Sequence, residues 1–202
     1  MKALYFFIIM SCFFIKNHAQ NNVLKLIESK TTTVIIDGEL AEQEWLDAQE
    51  VLIKGITDRE VAVLLKYDTD NLYIAFRNLT DAQKINANAE VLINTSIEAP
   101  TWDDHCYWFH SSYGNCSAIG QYYYWEDCTT EPAGWIANTF PFKNDNDNME
   151  FKISFSKLNM TAKKGQQLKI AFKLSDPLEQ QVYWPELANI ANPDTWGTIT
   201  FN

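Results

Sequence analysis

Two tryptophans in this 202-residue chain stand directly in front of paired acids, Trp102 before Asp103 and Asp104, and Trp125 before Glu126 and Asp127. An indole offers a flat apolar face and a carboxylate accepts hydrogen bonds from hydroxyls. Together they match a sugar, whose rings present C–H faces ringed by hydroxyl groups. Trp184 is a third candidate indole. The sequence therefore nominates Trp102, Trp125 and Trp184 as stacking residues and Asp103, Asp104 and Glu126 as hydroxyl partners. The surrounding stretch is dense in unusual chemistry: from Trp102 to Trp135 it holds four of the seven tryptophans, two of the three histidines and three of the four cysteines.

Other chemistries are available to the same residues. Cys116 and Cys128 flank a strand and its return loop, whereas Cys106 lies inside an apolar strand, so the expected disulfide is Cys116–Cys128 with Cys106 a free buried thiol. The competing reading is a zinc site from His105, Cys106, Cys116 and Cys128, although this spacing lacks the paired Cys-x-x-Cys arrangement. Asn144-Asp145-Asn146-Asp147-Asn148 collects five oxygen-bearing side chains in one loop. It is a candidate calcium site, with Asp145 and Asp147 as ligands, although an Asx-rich turn satisfied by its own backbone is the favoured reading of the loop. A haem held by His110 and Met149 is a further alternative, without the attachment motif Cys-x-x-Cys-His. Catalysis is disfavoured: a glycosidase needs two facing carboxylates, and adjacent strand residues point to opposite faces. There is also no Gly-x-Ser-x-Gly turn for a serine nucleophile. The chain is expected not to be an enzyme.

The elements that must position these residues are short strands. Val34-Ile35-Ile36-Asp37-Gly38 reads as a strand ending in an Asp-Gly turn. Leu40 to Ala48 has helical spacing, which places Trp45 as a plug at one end of the core. Val61–Tyr67 and Leu72–Arg77, joined by Asp68-Thr69-Asp70-Asn71, form a hairpin. Glu90–Asn94 precedes the aromatic stretch. There, alternation within His105–His110 sends one of the sets Cys106/Trp108/His110 and His105/Tyr107/Phe109 into the core, and Trp108 is read as packing. Met149–Phe155 alternates cleanly, with Met149, Phe151, Ile153 and Phe155 on one face. Gln167–Leu174 and Trp196–Phe201 complete the set. Many short strands with turn residues between them indicate an all-β fold, a two-sheet antiparallel β-sandwich of immunoglobulin-like or jelly-roll-like kind, with one or two short helices.

At the N-terminus, Lys2 is followed by a nearly unbroken apolar run from Ala3 to Ile15 and a polar stretch ending in Ala19. Residues 1–19 are therefore expected to be a signal peptide, with a lipoprotein signal at Cys12 as the alternative. The run is shorter than the roughly 20 residues of a membrane span. Residues 20–202 are expected to be one domain. The removed segment contains Lys2 and Lys16 and no acid, so its loss deepens the net charge from −10 to −12. Such an acidic domain repels phosphate backbones and anionic lipid surfaces, which argues against nucleic acid and polybasic membrane docking. Its localisation is then secreted, periplasmic or at the cell surface.

A family pattern runs through these elements. Ile36-Asp37-Gly38-x-Leu40-x-Glu42-x-x-Trp45, then Tyr67-Asp68 with Leu72-Tyr73-Ile74-Ala75, then Glu150-Phe151-Lys152-Ile153 with Ser156-x-Leu158, then Tyr183-Trp184 and Pro193-x-x-Trp196-Gly197 resemble the family 9 carbohydrate-binding modules over nearly the whole mature chain. The resemblance implies a two-sheet sandwich, sugar binding at one end, frequent bound calcium and a setting in extracellular polysaccharide breakdown. The modules of this family that grip chain ends use two clamp tryptophans. The corresponding stretches here, Gln83–Asn88 and Leu187–Asn192, contain none. The expected function is thus glycan binding with stacking residues drawn from the 100–135 region. The alternative is a sandwich that has lost sugar binding and serves as a protein-interaction or structural domain.

Overall fold

The computed structural model describes residues 22–30, 33–54, 60–79, 88–98, 102–110, 116–121, 124–129, 133–138, 148–175 and 180–202. Among the described residues thirteen strands form two sheets. The larger runs β1 (Val23–Leu26), β13 (Gly197–Phe201), β11 (Gln167–Ser175), β5 (Asn88–Asn94), β6 (Cys106–His110), β7 (Cys116–Gln121) and β8 (Tyr124–Trp125), with β12 (Gln181–Trp184) also paired to β11. The smaller runs β2 (Gln49–Lys54), β3 (Glu60–Tyr67), β4 (Asn71–Arg77), β10 (Asn148–Ser154) and β9 (Trp135–Ala137). All the ladders are antiparallel except β1–β13, which is parallel. The expected two-sheet sandwich is what the chain forms.

The core lies between the sheets because alternation delivers it there. Val91 and Ile93 of β5, Tyr107 and Phe109 of β6, and Ile170, Phe172 and Leu174 of β11 face Val63, Leu65, Ile74, Phe76, Phe151 and Ile153 of the smaller sheet. Aromatic pairs cross the gap: Phe76 meets Phe172 edge-on at 5.6 Å, and Phe109 meets Trp135 at 5.2 Å. Each such pair contributes about 1 kcal/mol beyond the area it buries. Met149, in β10, is part of this interior.

The outer face of the smaller sheet is covered by residues 33–48. A one-turn helix, α1 (Glu42–Trp45), lays Trp45 on Leu64, Tyr73 and Ala75, together with Val34. Trp45 therefore packs on the back of a sheet, not at the end of the main core. The covering segment is fixed by Glu150, which is fully buried and accepts hydrogen bonds from Asp37 N at 3.1 Å, Gly38 N at 2.8 Å and Trp45 Nε1 at 3.1 Å. Gly38 takes a φ of 85°, a left-handed conformation open to glycine, and so turns its N–H onto the carboxylate. The run Val34-Ile35-Ile36 was expected as a strand but pairs with no strand. The N–H of Ile35 goes to Glu44 Oε2 at 3.4 Å, and those of Asp37 and Gly38 to Glu150, so carboxylates satisfy the backbone where a ladder was anticipated.

Trp184 belongs to this architecture and not to a ligand site. It is 1% exposed and stacks on Phe172 at 5.5 Å. Gly197 makes the space: a Cβ there would lie 2.6 Å from both Trp184 Cη2 and Cζ3. The substitution Gly197→Ala is expected to destabilise the domain by about 2 kcal/mol through overpacking. In a domain of this size that corresponds to a melting point roughly 4–8 °C lower. An unchanged melting curve would show that the ring has room to move.

Candidate functional site

Four of the tryptophans are sealed, Trp45, Trp135, Trp184 and Trp196. The other three, Trp102, Trp108 and Trp125, are half-buried and lie together on the outer face of the larger sheet. Trp125 is central, with ring centroids 5.1 Å from Trp102 and 5.6 Å from Trp108, the planes tilted by 59° and 54°. Small residues of β7 make part of the floor beneath them. Trp108 is paired across the ladders with Ala118 and Leu92, and Trp125 with Gly120. A Cβ on Gly120 would come within 2.8 Å of Trp102 Cδ1 and 2.9 Å of Cys106 Cβ, and closer still to the carbonyl oxygen of Asp103. The absent side chain is what lets the turn carrying Trp102 settle on β7.

Beside the indoles runs a polar row that only the strand register reveals. Tyr183 of β12 pairs with Lys173 of β11, Lys173 with Glu90 of β5, Glu90 with His110 of β6, and His110 with Cys116 of β7. Glu90 and Lys173 form a nearly dry ion pair, with Lys173 Nζ 3.0 Å from Oε1 and 2.9 Å from Oε2 of Glu90. Trp108 Nε1 donates to Glu90 Oε2 at 2.8 Å, and Lys173 Nζ sits 5.4 Å from the Trp108 ring centroid. Both charges thus hold one indole, the carboxylate by its edge and the ammonium by its face. Burial depresses the His110 pKa, opposed by Glu90 and assisted by Lys173, so the imidazole is neutral at pH 7. Burial, then the Glu90 charge, raises the phenol of Tyr183.

The candidates from sequence separate into distinct places. Trp102 and Trp125 are on the indole patch, and Glu126 is exposed next to Trp125, where Gln121 Nε2 donates to its Oε1. Asp103 turns its carboxylate inward on its own loop, accepting from the His105 N–H at 3.0 Å. Asp104 is exposed and faces a different hollow of about 270 Å³, lined also by Thr95, His105, Tyr107, Asn159, Met160 and Gln166. Trp184 is excluded as a stacking residue, because its ring is buried between Phe172 and Gly197. Sequence reading missed Glu90 and Lys173, and it assigned Trp108 to packing, whereas the ring shares the half-open face with Trp102 and Trp125. The paired alternation of β6 was the available signal: Tyr107 and Phe109 fill the core, which leaves Trp108 outside. Asp145 and Asp147, the candidate calcium ligands, lie outside the described residues, as does the expected signal peptide of residues 1–19.

The cysteines sort as expected in one respect. Cys116 and Cys128 are disulfide-bonded and Cys106 is a buried free thiol, whose pKa burial pushes up to about 11. Closing a loop with a sequence separation of 12 stabilises the domain by about 3 kcal/mol in the chain-entropy account. The alternative four-ligand zinc set is not assembled. The side chains that meet the two sulfurs include His110, not His105 or Cys106. The haem alternative is likewise ruled out geometrically, since His110 is on the outer face of one sheet and Met149 in the interior from the other.

Among the described residues no helix is long and apolar enough to cross a membrane. No family model and no curated protein matches the sequence. Solved structures do resemble the fold. A family 9 carbohydrate-binding module from Caldicellulosiruptor kristjanssonii in complex with cellotriose superposes with a TM-score of 0.63 at 14% identity, covering 89% of this chain and 93% of that one. A family 9 module from the same organism in complex with glucose gives 0.59 at 15%, covering 88% and 95%. A Bacteroides uniformis protein named for carbohydrate binding gives 0.54 at 14%, covering 89% and 99%. Two sheets in this arrangement, matched along nearly the full length of both chains, give this protein the fold of the family 9 carbohydrate-binding modules in a strongly divergent sequence.

Proposed function

We propose that this chain is a secreted, non-catalytic glycan-binding module working in extracellular polysaccharide breakdown, and that it takes sugar on the outer face of the larger sheet. The observation that carries the reading is the cluster of three mutually packed, half-buried indoles on one sheet face. Rings tilted by 50–60° to one another offer a sugar more than one stacking plane. Trp102 and Trp125 are the stacking residues with Trp108 as the fixed ring between the patch and the ion pair, and Glu126 supplies a carboxylate at the rim. Asp103 and Asp104 stand at the far side of the Trp102 turn, where a longer chain of sugar units reaches them. Calcium at Asp145 and Asp147 is a companion proposal resting on the sequence alone. The fold likeness supports the ligand class, since two of the similar structures hold cellotriose and glucose.

A glycan array followed by calorimetry on its hits tests the proposal. We expect a hit among plant or microbial polysaccharide fragments, and Trp125→Ala is expected to weaken it by at least about tenfold, or ~1.4 kcal/mol, with the fold intact by circular dichroism. Silence across the array, or hits indifferent to both Trp125→Ala and Trp102→Ala, would instead favour a sandwich that has lost its sugar site and contacts protein.

A further inference from the structure

The polar row on the sugar-facing sheet ends in a cluster that glycan binding does not use. His110 on β6 lies directly across the ladder from Cys116 on β7, and Cys128 returns beside them where Thr129 bridges to Ser117. His110 Nε2 is 2.6 Å from Cys116 Sγ and 3.0 Å from Cys128 Sγ. One imidazole nitrogen and two sulfurs, delivered by three separate segments, converge on a single point.

We infer that the reduced form of this cluster is a binding site for a thiophilic d10 cation, zinc or cuprous ion, with His110 Nε2, Cys116 Sγ and Cys128 Sγ as ligands. Two thiolates and an imidazole are the donors these cations select. The disulfide and the cation are mutually exclusive occupants. A dithiol reductant gives up two electrons and becomes its own disulfide while the Cys116–Cys128 bond opens to two thiols. The cation then displaces both thiol protons as it binds. Metal–sulfur bonds near 2.3 Å and metal–nitrogen bonds near 2.0 Å set ligand atoms about 3.4–3.8 Å apart in a tetrahedron. His110 therefore retreats from the sulfurs by about 1 Å or less, within side-chain rotation, while the Cys116 and Cys128 Cα atoms at 5.5 Å already allow both sulfurs to face one centre. Cys106 is buried on the same sheet but takes no part, which makes it the internal control. The inference is independent of the glycan reading, because its ligands are not stacking residues.

Cobalt, as a spectroscopic stand-in for zinc, is titrated into the full chain kept oxidised and into the chain reduced with a phosphine. The phosphine takes oxygen from water and offers no thiol to compete. We expect one equivalent to bind the reduced chain, with thiolate charge-transfer and tetrahedral visible bands that zinc abolishes, and binding to the oxidised chain at least about 100-fold weaker. His110→Ala is expected to weaken zinc binding by at least about tenfold, and Cys106→Ser to leave it unchanged. The inference is overturned by a reduced chain without these bands, by affinity indifferent to His110→Ala, by dependence on Cys106, or by near-ultraviolet dichroism showing that reduction unfolds the domain.

Discussion

Replacing Glu150 with alanine is expected to lower the melting temperature by about 8–16 °C. The carboxylate accepts three hydrogen bonds, from Asp37 N, Gly38 N and Trp45 Nε1, and none of its surface is exposed. Removing it leaves three donors without an acceptor, at about 1–3 kcal/mol for each buried polar group left unpaired, or about 4 kcal/mol in all after relaxation. It also frees the segment 33–48 from the sheet it covers. Calorimetry at fixed pH measures the loss. A drop of only one or two degrees would mean that water replaces the carboxylate and that the covering segment is held mainly by the apolar contacts of Trp45 and Val34.

The same side chain gives the domain a pH dependence of defined sign. Burial is the dominant influence on Glu150 and outweighs its hydrogen bonds, so its pKa is raised from 4.5 to about 7. A folded-state pKa above the unfolded value means that the native state holds the proton more tightly. The associated stability is fully present below about pH 4.5 and is lost as pH rises toward 7. At roughly 1.4 kcal/mol per unit this amounts to a few kcal/mol. Glu150→Gln removes the titration, so the stability difference between wild type and variant is expected to shrink from pH 5 to pH 8 in urea unfolding. A difference that stays constant would place the native pKa near its ordinary value.

These two expectations explain why the fold was legible in a sequence with so little identity to its structural neighbours. Asp37-Gly38, Trp45 and Glu150 were recognised as a pattern of spaced residues, and they prove to be one hydrogen-bonded node joining positions 105 and 112 residues apart. The motif records how the covering segment is fastened to the sheet. It therefore identifies architecture and is silent on ligand. Alternation did much of the rest: Met149, Phe151, Ile153 and Phe155 of the Met149–Phe155 run are core, and of the two sets left open in His105–His110 it is Tyr107 and Phe109 that enter it. Val34–Ile36 misled because its β-branched residues satisfy strand propensity, while the Ile35 N–H and those of the following Asp37 and Gly38 go to carboxylates.

The candidate site was less legible for a related reason. An indole looks the same in sequence whether its ring is sealed or open. Trp184 is sealed because Gly197 across the sheet has no side chain, and that pairing depends on how β11, β12 and β13 are arranged. Glu90 and Lys173 are 83 residues apart and meet only through the β5–β11 register. Charges that find partners across a ladder carry no local signature. Among the sequence candidates, Trp102 and Trp125 reached the patch by virtue of the strand edges that flank them.

The Glu90–Lys173 pair supplies the second large effect. Breaking it with Glu90→Gln leaves the Lys173 ammonium in a nearly dry position, where side-chain exposure is 10% for the lysine and 9% for the glutamate. Such an uncompensated charge costs about 3–5 kcal/mol, which is roughly 6–20 °C in melting temperature for a domain of this length. Two well-packed apolar residues of similar volume are usually as stable as a buried ion pair. The double variant Glu90→Leu with Lys173→Met is therefore expected to recover most of the melting temperature. It should not recover glycan affinity, because Trp108 Nε1 has lost its acceptor and the ring its cation, and Trp108 fixes the position of Trp125. Stability regained together with full affinity would assign the pair to packing alone. Stability regained with affinity still depressed would show Glu90 and Lys173 to be positioning residues, whose charges are kept on this face to hold an indole in place.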